Sequence, residues 1–370
     1  KTGIFVVELA DTVPPTFVSA SVNYSNAILQ ITASETLSTI TGAVDVSKIV
    51  LFNETDQPNL TLAGANVIND NGATITIILT EAQRVQGLRW SNTPGGGGTG
   101  IAGDGHSAGL AVLPGAFKDV VGNLLENSDS AHMSEAADII APKVTMGEVE
   151  YGTGLVRFYF TETMDVTPDD LINKSLIVFS NITDDVVINF GHAYKHPLVK
   201  PPPAGFSLVS VESLLDSTIV VIRLFEYVRT VIIAYSGVKG GDSNAAFLRI
   251  FAGAFVDLAG NRNEVNETIL SPTEYPDNVG PTFKQAFIDY GTRKFVLEAH
   301  KTMDLTPAST KVVLSGLFFA DGEADTAGVY LTGASVVEID GLFMTIFLTE
   351  SQIVGAHNIS NTPGASFSGS

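Results

Sequence analysis

The chain has 370 residues, with 40 acidic against 20 basic side chains and a formal net charge of −20. That balance repels phosphate backbones and argues against nucleic-acid binding. A hydrophobic content of 45% is too high for disorder and suits two or three packed domains, and the lack of cysteine excludes disulfides and thiolate-bound metals.

In chain order, the first element is the strand-like apolar segment Ile4-Phe5-Val6-Val7-Glu8-Leu9. A repeating pattern follows. Pro15-Thr-Phe17, Pro142-Lys-Val144 and Pro281-Thr-Phe283 open three copies about 130 residues apart. Each copy continues with alternating segments such as Ile28-Leu-Gln-Ile-Thr32 and Leu155-Val-Arg-Phe-Tyr-Phe160, and period-two alternation predicts half-buried strands. A turn follows at Glu162-Thr-Met-Asp165 and Lys301-Thr-Met-Asp304. Further strands are predicted at Lys48–Phe52, Leu176–Phe179 and Lys311–Leu314. Asn71-Gly72 and Asp340-Gly341 predict tight hairpin turns, because both dipeptides tolerate positive φ.

Leu79-Thr-Glu81-Ala-Gln83 returns as Leu348-Thr-Glu350-Ser-Gln352, and its Thr-Glu-Ala-Gln segment predicts one helical turn. The most apolar stretch, Thr218 to Tyr235, is broken by Arg223, Glu226 and Arg229. It predicts paired buried strands rather than a membrane span. Gly115-Ala-Phe117-Lys-Asp119-Val-Val-Gly122-Asn123 returns as Gly253-Ala-Phe255-Val-Asp257-Leu-Ala-Gly260-Asn261. The third copy reaches Ser360-Asn-Thr-Pro363 and has no such element in the seven residues after it.

Seven or so short strands per copy predict an all-β chain of three tandem Ig-like β-sandwiches. The expected division is 1–10 as an N-terminal strand, 11–138 and 139–277 as complete domains, and 278–370 as an incomplete third. The Phe-x-Asp-x-x-Gly-Asn turn and the Pro-Thr-Phe starts resemble the bacterial Ig-like repeats of surface-layer proteins and large adhesins. The resemblance spans nearly the whole chain and implies a structural or adhesive role without catalytic residues. No metal or cofactor is expected, since no full Asp-x-Asp-x-Asp-Gly loop is present; Asp11, Asp119, Asp138, Asp257 and Asp277 are the candidate ligands should calcium rigidify the linkers, as it often does in the arrays this chain resembles. The competing reading of Asp119 and Asp257 is that they cap their own turns.

No enzyme is expected. His106 and the pair His192 and His196 sit in Gly- and Pro-containing loops without a nucleophile elbow or a helical frame. Trp90, the lone tryptophan, is either a sugar-stacking contact or core. Seven Asn-x-Ser/Thr sequons, at Asn23, Asn53, Asn59, Asn173, Asn181, Asn266 and Asn358, predict a glycosylated extracellular surface. The alternative is plain turn chemistry.

The incomplete third copy and the spare apolar segment complement each other. An open sandwich exposes an edge that proteins normally cover, and Ile4, Phe5, Val6, Val7 and Leu9 lack an obvious place in the first copy. The expectation is that residues 1–10 of one subunit complete copy three of an identical neighbour, head to tail, forming a homopolymer. A fragment of a longer array, or residues 1–10 folded onto copy one, are the alternatives. The functional expectation is a glycosylated structural filament subunit at the cell surface, with an adhesin or carbohydrate-binding array as the alternative.

Overall fold

Alternation decides the strands. Leu29, Ile31 and Ala33 are buried at every second position, as are Ile75 and Ile77, Val156, Phe158 and Phe160, and Val220, Ile222 and Leu224. The computed structural model describes residues 6–53, 59–95, 102–181, 187–191, 207–264, 267–322 and 328–360. Ile4, Phe5, Asn266, His192 and His196 lie outside the described residues.

The first repeat contains β1 (Phe17–Asn23), β2 (Ile28–Leu37), β3 (Ile49–Phe52), β4 (Leu60–Thr61), β5 (Asn66–Val67) and β6 (Gly72–Ile78). After them come α1 (Glu81–Arg89), β7 (Gly109–Val112), β8 (Asp129–His132) and β9 (Ser134–Ala136). Its two sheets have the orders β5-β6-β2-β1-β9 and β4-β3-β7-β8. All pairings are antiparallel except β1 with β9, which run parallel.

The second repeat has the same order. It contains β10 (Val144–Glu150), β11 (Leu155–Met164), β12 (Ile177–Asn181), β13 (Val187–Asn189), β14 (Val209–Val211) and β15 (Ser217–Leu224). Then come α2 (Glu226–Ala234), β16 (Ala246–Phe251), β17 (Glu267–Leu270) and β18 (Thr273–Tyr275). Its sheets are β14-β15-β11-β10-β18 and β13-β12-β16-β17, with β10 and β18 parallel.

The third repeat contains β19 (Phe283–Asp289), β20 (Lys294–Met303), the single turn α3 (Ala308–Lys311), β21 (Phe318–Phe319), β22 (Val329–Tyr330), β23 (Ser335–Val336), β24 (Gly341–Phe347) and α4 (Glu350–Asn358). Its sheets are β23-β24-β20-β19 and the pair β21-β22. Among the described residues it has no counterpart of β7, β8 or β9. The chain is thus all-β, built as Ig-like sandwiches in tandem.

Three separate apolar cores follow, one per repeat. Phe117 and Phe255, from the repeated Gly-Ala-Phe turns, are fully buried. Phe255 packs against Phe158 at 5.4 Å and Phe160 at 4.8 Å between ring centroids. In the third repeat the equivalent place is a cleft of about 390 Å³, lined by Phe283, Met303, Leu305, Leu317 and Met344 among others.

Several local expectations change. Residues 311–314 are not a strand but run from the end of α3 into a 3-10 turn at Leu314–Gly316, and Glu162 to Met164 and Lys301 to Met303, expected as turns, are the ends of β11 and β20. The single turn at residues 80–83 is a nine-residue helix, α1. Thr80 caps it, Gln83 closes the capping box, and the Gln83 amide also donates to Thr61 O and Ala63 O, which ties the helix to β4 and the turn after it. Thr349 and Gln352 do the same for α4. The stretch from Thr218 to Tyr235 is not a strand pair. Its first half is in β15, and its second half is α2, where Val228, Val231 and Ile232 share a buried face at helical spacing. Gly72 and Gly341 are not left-handed turn residues. They open strands opposite Leu37 and Met303, while Asn71 and Asp340 accept hydrogen bonds from Thr39 N and Leu305 N across the sheet end.

Replacing Phe255 with alanine empties the centre of the second core and is expected to cost about 3–5 kcal/mol. Denaturant unfolding should show the loss in one transition, leaving the first repeat's transition in place.

Candidate functional site at the repeat junctions

The residues that converge most densely lie where one repeat hands over to the next. α1 places Glu81 and Arg84 one turn apart on the end of the first repeat. The Arg84 guanidinium is buried. It holds Glu81 at 2.7 Å, Asp138 of the linker at 2.6 Å and Glu162 of β11 at 3.4 Å, and it donates to Tyr24 O. Glu81 in turn accepts the backbone N–H of Thr163 at 2.8 Å. From the other side, the turn at Phe255–Asn261 contributes Asp257, and Asn261 donates to Asp138 O at 3.1 Å. Leu258 and Ala259 of this turn pack against the first repeat's core.

One ligand oxygen each from Asp138, Glu162 and Asp257 lies within 4.8 Å of the others, and all three residues are buried. Burial, then the charges of Asp138 and Asp257, pushes the Glu162 carboxyl up to about 8, with Arg84 opposing. Burial also lifts Asp257 to about 6, against its hydrogen bonds from Asn261. Asp11, Glu35 and Asp119 form the corresponding group ahead of the first repeat, with Asp11 exposed. Both groups offer only carboxylate oxygens, a set that fits a hard divalent cation such as Ca2+.

Asp277 departs from the expectation for a calcium ligand. Its carboxylate is held by Arg229 of α2 at 2.8 Å and by the Lys301 ammonium at 2.8 Å. Lys301 stands on β20 where Glu162 stands on β11, and it also donates to Val279 O. The rest of the junction is conserved in form: Glu226 binds Arg229 and accepts Thr302 N, as Glu81 does with Arg84 and Thr163. The second junction therefore carries its own cation at the position where the first gathers carboxylates.

Asp119 and Asp257 also cap their turns, as the competing reading held. Asp119 accepts Val121 N, Gly122 N and Asn123 N, and Asp257 accepts Asn261 N. The clamping residues Arg84, Arg229, Glu35, Glu162 and Lys301 were missed by sequence reasoning. The signal was present in the recurrence of Glu-x-x-Arg at 81–84 and 226–229 and in the exchange of Glu162 for Lys301 at one repeat position.

A second recurring pair pins the last strand of the two complete repeats. Tyr24 donates to Glu135 of β9 at 2.7 Å, and Tyr151 donates to Glu274 of β18. Burial, and then the carboxylate, pushes both phenols well above their ordinary range.

The expected glycan sites divide by exposure. Asn59, Asn173 and Asn358 are exposed and Asn23 is half-buried. Asn53 and Asn181 correct the expectation. Both are buried at strand ends, and the Asn53 amide donates to Asp104, so neither presents its nitrogen to solvent in this fold. Trp90 is buried in the first core and offers no stacking platform. His106 is exposed, and its backbone N–H bonds Asp104. Of the segment expected as an N-terminal strand, Val6, Val7 and Leu9 are 78%, 86% and 90% exposed and lie in no strand or sheet.

No protein-family model matches the chain, and no curated protein matches it. Among solved structures it is similar to titin A168169, at 10% identity over 71% of this chain and 100% of that one, with a TM-score of 0.23. It is similar to the S-layer protein rSbsC at 10% identity over 90% of this chain and 50% of that one, with a TM-score of 0.22, so it spans about half of that protein's length. A marsupial T cell receptor matches at 8% identity over 91% and 93%, with a TM-score of 0.18. Likenesses of this size carry no argument about function.

Glu162 and Asp257 have folded values above their ordinary 4.5 and 3.8. Their stabilising contribution is complete below those ordinary values and is lost as pH rises through about 6 and about 8. The unfolding temperature should fall over that window in metal-free buffer, and Glu162→Gln should flatten the fall. Glu162→Lys should raise the unfolding temperature at pH 8 by supplying the cation that Lys301 supplies next door. Arg84→Ala, which strands buried carboxylates, should cost about 3–5 kcal/mol.

Proposed function

We propose that the chain is a non-enzymatic structural subunit of an extracellular filament, glycosylated on its exposed sequons and joined head to tail with identical subunits by β-strand donation. The observation that carries this reading is the state of the third repeat. β19 pairs with β20 on one side and, among the described residues, with nothing on the other. Phe283 is 47% exposed where its counterpart Phe17 is 7% exposed, and Phe287, Phe318 and Phe343 are also exposed. An open apolar edge of this kind templates strand addition. At the other end, Val6, Val7 and Leu9 form an exposed apolar segment that belongs to no sheet.

The junctions support a load-carrying role. Buried ion pairs and backbone caps bridge the repeats, which suits a stiff rod more than a flexible tether. Within this reading Asp11, Glu35 and Asp119, and Asp138, Glu162 and Asp257, are the places where Ca2+ would brace a junction, and adding Ca2+ should raise the unfolding temperature relative to EDTA.

Electron microscopy of the purified chain tests the central claim. Filaments with a regular axial repeat are expected, and deletion of residues 1–10 should leave monomers. Persistence of filaments after the deletion would overturn strand donation. Treatment with an N-glycosidase should lower the mass of native material, and Asn59→Gln, Asn173→Gln and Asn358→Gln should each remove part of that shift.

A further inference from the structure

The internal repeats specify how the donated strand would sit. We propose that Val7-Glu8-Leu9 of a second copy of this chain pairs in parallel with β19, in the register that places Glu8 on the Tyr290 hydroxyl. This inference rests on the strand-donation reading above and gives it a geometry.

The correspondence is residue by residue. Upstream of the linker aspartates, Ser134-Glu135-Ala136-Ala137-Asp138 and Thr273-Glu274-Tyr275-Pro276-Asp277 share a glutamate three residues before the aspartate. Val7-Glu8-Leu9-Ala10-Asp11 has the same spacing. In the two complete repeats that segment lies parallel to the first strand, pairing Val22 with Glu135 and Val149 with Glu274. The next backbone N–H closes the pairing, Tyr24 N to Ala136 O and Tyr151 N to Tyr275 O. The glutamate takes the tyrosine hydroxyl. In the third repeat Tyr290 stands where Tyr24 and Tyr151 stand, and its hydroxyl has only a 3.4 Å contact to Ala356 O. The equivalent pairing is Phe287 with Val7, Ile288 with Glu8 and Asp289 with Leu9.

The outward-facing partners select this occupant. In the complete repeats the paired positions are polar on both strands, Ser21 with Ser134 and Glu148 with Thr273. In the third repeat the strand offers Phe287, 52% exposed, and the incoming segment offers Val7. The polarity changes on both sides together, as cross-strand pairing requires. The same docking brings Glu350, at the start of α4, to Thr36 N of the second copy, matching Glu81 to Thr163 N and Glu226 to Thr302 N. Ile353 replaces the arginine of α1 and α2, so the contact between copies keeps the strand and the cap but not the guanidinium. The segment then covers the β19 edge and leaves the cleft at Met303 open.

The chain has no cysteine, so engineered thiols report without background. Full-length Leu9→Cys and Asp289→Cys variants, mixed and mildly oxidised, should give a disulfide-linked dimer. Leu9→Cys mixed with Lys284→Cys, at the far end of β19, should not. Tyr290→Phe should raise the concentration needed for assembly about tenfold, since it removes a hydrogen bond to a charged group. If filaments form but Leu9 and Asp289 fail to link, or Lys284 links instead, this register is wrong while strand donation stands. If neither filaments nor links form, both fall. If a Leu9→Cys/Asp289→Cys double variant links only within one monomer, the second copy is ruled out as the occupant.

Discussion

A buried guanidinium cannot leave its donors unmet, and Arg84 meets them with groups from three different segments. Its own helix supplies Glu81, the linker supplies Asp138 and the following repeat supplies Glu162. Arg229 repeats the arrangement with Glu226 and Asp277. Because stripping either arginine of one partner would strand a charge in a low-dielectric interior, the helix end, the linker and the next strand hold a single relative position. The orientation of successive sandwiches is therefore constrained by charge satisfaction, with Leu258 and Ala259 adding apolar contact at the first junction.

The two junctions solve one electrostatic problem in opposite ways. In the first, Arg84 faces Glu81, Asp138 and Glu162, and Asp257 joins the last two. In the second, Arg229 and Lys301 face Glu226 and Asp277. The difference traces to one repeat position, glutamate on β11 and lysine on β20, and to the presence of the Phe-x-Asp turn behind it. The backbone frame is shared, so the junction's charge balance is set by side chains without altering the fold.

Much of this was legible in the sequence, for reasons visible in particular residues. Alternation marked β2 and β11 because one face of each is buried, and the Gly-Ala-Phe turns were legible because their phenylalanines plug a core. The helix α2 was hidden: its Val and Ile residues favour strands locally, and only the packing of Val228, Val231 and Ile232 overrides that preference. Asn71-Gly72 misled because Asn71 is spent on Thr39 N rather than on its own turn. The linker aspartates were singled out as calcium candidates, and the structure gathers Asp138 and Asp257 with Glu162 but sets Asp277 between Arg229 and Lys301; Arg84 and Lys301 were not singled out, since their linker partners lie 54 and 24 positions away. Burial of Asn53 and Asn181 likewise depends on neighbours that a sequon does not encode.

The parallel pairing of first and last strands has a mechanical meaning. β1 begins its repeat and β9 ends it, side by side and pointing the same way, with β10 and β18 alike. Tension along the chain pulls on the start of one strand and the end of the other, so it runs lengthwise through the bonds between them. Those bonds are loaded in shear and must yield as a group, whereas an antiparallel end pair would unzip bond by bond. The phenol–carboxylate links Tyr24–Glu135 and Tyr151–Glu274 lie in that same line of force, so each repeat resists stretching at the place where it is also sealed.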